Sequence, residues 1–284
     1  MKRFYPTFYR LFSLFALGLS FMSTANLQAQ INFSQSQLNL NGFTFDVGST
    51  TLMYGPDGRL YVADYKSGDI LAMTVVKNGA NDYEVTAIET LTGVSDIVNH
   101  DDDGTPCSGT PTNCAQRQVT GLTLGGTASN PIVYVSSSDI RIGAGSGGGN
   151  GDIDLDTNSG VVTRMEWTGT EWDVVDLIRG LPRSEENHST NGLELATIGG
   201  INYLIFASGG ITNGGGPSTN FVYTCEYALS GAILALDLDM LDTMGVQLDP
   251  NNRKYIYDLP TLDDPTRANV NGISDPDNPA FHGI

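Results

Sequence analysis

Leu204-Ile205-Phe206-Ala207, followed by Ser230-Gly231 and then AILALDL, decides how the rest of the chain is read. The same two landmarks occur one unit earlier as Val133-Tyr134-Val135-Ser136 and Ser159-Gly160 with VVTRMEW. They occur first as Leu60-Tyr61-Val62-Ala63 and Ser67-Gly68 with ILAMTV. From 133 to 204 and from 159 to 230 the displacement is the same, 71 residues. A strand precedes each run: TTLMY at 50–54, GLTL at 121–124 and GLEL at 192–195. A fourth follows each Ser-Gly strand: YEVTAI, WDVVDLI and KYIYDL. Four short strands per unit, joined by turns such as Gly55-Pro56-Asp57-Gly58, are the sequence form of a propeller blade. No helical period of useful length competes with this pattern, and an irregular sandwich would not keep one offset at two landmarks.

The chain is therefore expected to be all-β, a β-propeller of four-stranded antiparallel blades. The blades should span about 43–91, 119–180 and 190–260, with the start of a further blade over 261–284. Three blades do not close a ring, which needs at least about four. The sequence thus reads as the front part of a longer protein. The units differ in one place. Ser67 lies five positions after Val62, but Ser159 and Ser230 lie twenty-four positions after Val135 and Phe206. Both long insertions are Gly-rich and should emerge on one face, where loops of repeat proteins carry binding.

Charge narrows the partners. The 284 residues carry 14 Lys+Arg against 32 Asp+Glu, a formal net charge of -18. Such a field repels phosphate backbones and argues against nucleic-acid binding. Residues 1–29 have the form of a secretory signal peptide: Lys2, Arg3 and Arg10 make a basic flank and Leu11–Met22 an apolar run. Cleavage is expected after Ala29, with Ala25 as the alternative. The run is too short to span a bilayer, so the product should be exported without a transmembrane anchor. In an exported protein the short CSGTPTNC loop predicts a Cys107–Cys114 disulfide. Cys225 is left over and reads as a buried apolar residue.

Only three histidines occur. His188 stands just before the inner strand GLEL, and 71 residues earlier the equivalent place holds Gln116-Arg117. Both pairs are expected to point into an axial pocket. A His there is a general base near neutral pH; a His bonding a loop carbonyl is the plainer alternative. Asp152, Asp154, Asp156 and Asn158 alternate along GDIDLDTN, where their oxygens could ring a calcium ion or form a solvated strand face.

LPRSEENHSTNGLEL, the Gly-rich loop after it and SGAILALDLD resemble the soluble glucose/sorbosone dehydrogenases. CAQRQVTGLTL and Asp277-Asn278-Pro279-Ala280-Phe281 resemble two further motifs of that family, and the likeness runs from about residue 43 to the end. The resemblance implies a six-bladed propeller using pyrroloquinoline quinone and calcium. It implies a sugar-like alcohol as substrate and His188 as the base, with Gln116 and Asn187 at quinone-contacting positions. Asn187 departs from the family, which carries an acid before the base. That departure keeps a second class open: a non-catalytic propeller that binds glycans or assembles with cell-surface modules.

Overall fold

The computed structural model describes residues 34–44, 48–101, 105–107, 114–142, 155–212 and 226–259. From Leu38 onward they build an all-β structure with one short helix. Among them no helix is long and apolar enough to cross a membrane.

Three sheets form. The first runs in the order β1 (Ser49–Tyr54), β2 (Leu60–Asp64), β3 (Ile70–Gly79), β4 (Asp82–Leu91), every neighbour antiparallel. The second contains β5 (Arg117–Gly126), β6 (Pro131–Asp139), β7 (Gly160–Trp167) and β8 (Trp172–Leu181), again antiparallel. The third contains β9 (Thr190–Ile198), β10 (Ile201–Ser208) and β11 (Ala232–Asp237). The repeated landmarks thus mark equivalent strands. Leu122 opposes Val135 in the second sheet, as Leu193 opposes Phe206 in the third.

The expected fourth strand of the third unit goes elsewhere. After β11 the chain turns through helix α1 (Leu238–Leu241) and the hairpin of β12 (Gln247–Leu248) and β13 (Lys254–Asp258). β13 then adds parallel to β8, with Tyr255 opposite Asp176 and Tyr257 opposite Ile178. The second sheet becomes six-stranded and the third stays three-stranded among the described residues. Charge chooses this edge. Arg253 gives Nε and Nη2 to the two oxygens of the buried Asp176, both at 2.7 Å. Arg179 joins Asp249 at 3.1 Å and Asp258 at 3.0 Å, and its guanidinium lies 4.1 Å from the Tyr255 ring centre.

The sheets pack face to face. Tyr61, Ala63, Ile70 and Ala72 of the first meet Leu122, Val133, Val135 and Met165 of the second. On the opposite face Tyr134, Val162, Val175 and Leu177 meet Leu193, Leu204 and Phe206 of the third. Burying a side chain such as Leu204 or Phe206 in full contributes about 1.5–3 kcal/mol. The first strands β1, β5 and β9 stand side by side. A hydroxyl fastens each step: Thr50 donates to the Val119 carbonyl at 3.0 Å, and Thr120 donates to the Thr190 carbonyl. Gly121 permits the second approach, because a Cβ there would lie 2.8 Å from the Gly192 nitrogen and 2.6 Å from Ser136 Oγ.

Cys107 and Cys114 form a disulfide with their Cα atoms 5.7 Å apart. Its ends are held by Asn99, whose carbonyl accepts from the Cys107 amide and whose side chain donates to the Cys114 carbonyl. Cys225 lies outside the described residues.

Candidate functional site

His188 stands two residues before β9, in a five-residue loop that closes on itself. The Ser184 amide donates to the His188 carbonyl at 2.9 Å, and the Glu186 amide to Ser184 Oγ at 3.1 Å. Beneath the loop Arg183 is fully buried and spends its guanidinium on main-chain oxygens: Asp139, Arg141, Ser184 and His188. Burial pushes Arg183 down to about 10, so it stays charged at neutral pH and acts as a cationic pin.

The imidazole leans on the Gly-rich loop after β10. His188 Nδ1 lies 3.0 Å from the Gly210 carbonyl. A carbonyl only accepts, so Nδ1 carries the hydrogen in the neutral ring and Nε2 keeps a lone pair. Nε2 has no hydrogen-bond partner among the described residues. Gly209 makes the approach possible. A Cβ on it would stand 2.9 Å from the His188 Cβ and 3.1 Å from the Ser189 carbonyl. Glu226 pins the far side of that loop. It accepts from the Ile211 and Thr212 amides at 2.7 and 3.0 Å and from the hydroxyls of Thr212 and Ser230 at 2.7 and 2.8 Å. Burial alone would raise the Glu226 carboxyl, but these four donors outweigh it and hold it below the usual glutamate range. Next to the His lie three buried hydroxyls, on Ser189, Thr190 and Ser208, without partners among the described residues. Thr190 and Ser208 oppose each other across β9 and β10.

The other expected residues are placed differently. Asn187 is exposed and Gln116 half-buried, and neither side chain bonds His188 among the described residues. The Gln116 carbonyl accepts from Asn99 at 2.7 Å. Arg117, the equivalent of His188, does not open into a pocket as expected. It is 1% exposed and bound to Asn99, Ser137 and Ser159. Desolvation pushes it down to about 10. Asp152 and Asp154 lie outside the described residues, whereas Asp156 is buried and accepts from the Asn158 amide at 2.8 Å. Among the described residues no group of three or more His, Cys, Asp or Glu is placed to hold a metal ion.

A cleft of about 700 Å³ opens away from His188, between the loop around His100, strand β8 and the β12–β13 hairpin. Its wall is the latch already described, Arg253 on Asp176 and Arg179 on Asp249 and Asp258, joined by Lys254 on Asp173 at 2.5 Å. Sequence reasoning did not single out His100, Glu226 or this cleft. Glu226 had a signal: it is the one charged residue between Ser208 and Leu229. The cleft had none, because it depends on β13 leaving its own unit.

No family model matches the chain. No curated protein matches it either. Two solved structures are similar to part of it, a calcium structure and an iodide structure of Trichoderma reesei carbohydrate-active enzymes family AA12. The first is 16% identical with a TM-score of 0.37, over 72% of this chain and 39% of its own. The second is 16% identical with a TM-score of 0.38, over 72% of this chain and 43% of its own. The chain thus spans about two fifths of the length of these structures. The assignment to the soluble glucose/sorbosone dehydrogenases is overturned: no family model supports it, and these structures belong to AA12. Motifs of five to fifteen residues, rich in Gly, Leu and Asp, recur in unrelated strand-turn-strand units and do not fix a family.

Proposed function

We propose that the chain is part of an exported β-propeller oxidoreductase acting on a sugar-like alcohol, with His188 as the base. The three sheets are read as neighbouring blades, and residues 1–29 as the leader removed on export. The Nδ1–Gly210 contact is itself the plainer loop-carbonyl alternative; what supports the catalytic reading is that it leaves Nε2 without a partner among the described residues. It orients the ring through one nitrogen and leaves the other free to take a hydroxyl proton. Gly209 lies against the His188 Cβ, Arg183 donates to the His188 carbonyl, and Glu226 holds the loop that bears Gly210. The net charge of -18 favours a neutral substrate over an anionic one.

Oxidising an alcohol also removes a hydride, for which pyrroloquinoline quinone with calcium is the expected acceptor. The described residues do not fit these groups. A quinone bearing several carboxylates calls for free cations, yet Arg117, Arg141 and Arg183 are spent on main-chain oxygens and on Asp139, Asp101 and Asn99. A calcium ion calls for clustered carboxylates, and none is present among the described residues. No step is therefore derived through either group. This donor set favours one second reading, a non-catalytic glycan-binding propeller.

A dye-linked dehydrogenase assay with added quinone and calcium, set beside glycan binding, separates the two readings. His188→Ala should lower sugar oxidation by about 10²–10⁴-fold, the usual worth of a general base, with binding retained. Glycan binding without oxidation in the unaltered protein would establish the second reading. N-terminal sequencing of exported protein tests the leader, with Gln30 as the expected first residue.

A further inference from the structure

We infer that the cleft between the His100 loop and the β12–β13 hairpin is a binding site for a neutral saccharide, separate from His188. The cleft is pre-formed. The hairpin that walls it is latched to β8 by four ion pairs at 2.5–3.1 Å. A site held this way spends little ordering entropy on a ligand.

Its charges select against anions. Arg179, Arg253 and Lys254 line the cleft, and each already holds a carboxylate; Arg117, the fourth cation of the lining, is buried and spent on Asn99, Ser137 and Ser159. The carboxylates of Asp96 and Glu171, which also line it, have no hydrogen-bonded cation among the described residues. An anionic ligand would meet a net negative wall without a free cation to receive it. A neutral ligand rich in hydroxyls meets the reverse, since the pinned carboxylates retain oxygen lone pairs that accept O–H donors.

His100 supplies the complementary group. Its carbonyl accepts from Arg141 and from the Asp156 amide, the residue lines the cleft, and its ring has no hydrogen-bond partner among the described residues. Burial lowers its affinity for a proton, and Arg117 and Arg179 oppose protonation against the pull of Asp156 and Asp101. The neutral imidazole has one donor and one acceptor nitrogen, which matches a hydroxyl that donates and accepts. Ile97, Val161 and Val174 add apolar surface for the C–H face of a sugar ring. Hydroxyl edges with apolar faces, and no charge, are the chemistry of a neutral saccharide.

The test follows the imidazole ring signals of the three histidines by NMR, assigned through single His→Ala variants. The probes are gluco-, manno- and xylo-trisaccharides, an anionic triuronate and calcium chloride. At least one neutral trisaccharide should shift the His100 signals saturably, and the triuronate should not. His100→Ala should weaken that binding about tenfold, and His100→Gln, which keeps a donor and an acceptor, should restore most of it. His188→Ala should leave it unchanged, so failure here and failure of the oxidation reading are told apart. No shift with any neutral trisaccharide, an equal shift with the triuronate, or displacement of the sugar by calcium would overturn the inference.

Discussion

The second and third sheets begin alike and end differently. In the second, β6 is buried along nearly its whole length, because sheets cover both of its faces. In the third, the equivalent β10 buries Leu204, Phe206 and Ser208 but leaves Tyr203, Ile205 and Ala207 half-open. The second sheet also acquires β13, a strand made from the third unit's own sequence. Equal strand propensity does not give equal partners. The edge that β13 joins is the one that carries its charged partners, above all the fully buried Asp176.

The largest expected effect comes from breaking the latch. Asp176→Ala removes both acceptors of Arg253 and the partner of Thr163 Oγ1 in a fully buried position. Stranding one member of a buried pair costs about 3–5 kcal/mol. Thermal unfolding should move down by about 10 °C, and limited proteolysis should cut the β12–β13 hairpin first. An unchanged Tm with a protected hairpin would mean that β13 is not held on β8.

Next in size is Gly209→Ala in the third sheet's loop. The new methyl meets the His188 Cβ and the Ser189 carbonyl, and overpacking of this kind costs about 1–3 kcal/mol. Displacement of the ring from the Gly210 carbonyl should appear as a changed His188 imidazole signal, and a signal identical to the parent's would deny the close seat.

Glu226→Gln should cost about 1 kcal/mol by weakening one charged acceptor of four hydrogen bonds. The pH dependence has a definite sign. The folded carboxyl lies below its ordinary 4.5, so the unfolded chain binds the proton more readily. Its contribution is full above about pH 4.5 and is lost as pH falls through the depressed folded value. Denaturant midpoints measured down that range should converge for parent and Glu226→Gln, and parallel curves would contradict the assigned role. Smallest of all, Ile233→Ser should change stability by less than about 0.5 kcal/mol, because Ile233 is 74% exposed on the third sheet. A loss of several kcal/mol would mean that another element covers this face.

The repeat was readable because Leu204–Ala207, Val133–Ser136 and Leu60–Ala63 place alternating apolar residues at fixed distances, and alternation is local information. The destination of KYIYDL was not readable. Its apolar pattern suits either edge, and the deciding contacts join Arg253 to Asp176, 77 residues earlier in the chain. The base candidate could be found from its position before GLEL. Its seat could not, because Gly209, Gly210 and Glu226 approach it only after the loop folds back. Arg117 misled for the same reason: its place in the repeat matches His188, but Asn99, Ser137 and Ser159 draw its side chain inward.

The parallel addition of β13 to β8 also sets a timetable for folding. Arg253 and Asp176 are 77 residues apart in the chain, so the outer edge of β8 stays unpaired until the third sheet has been made. At about 5–20 residues per second of synthesis, that interval lasts several seconds. An open strand edge over that time is a template for pairing with other chains. The hairpin that walls the cleft is therefore also the seal on this edge, and variants that loosen it should lower soluble yield before they lower any activity.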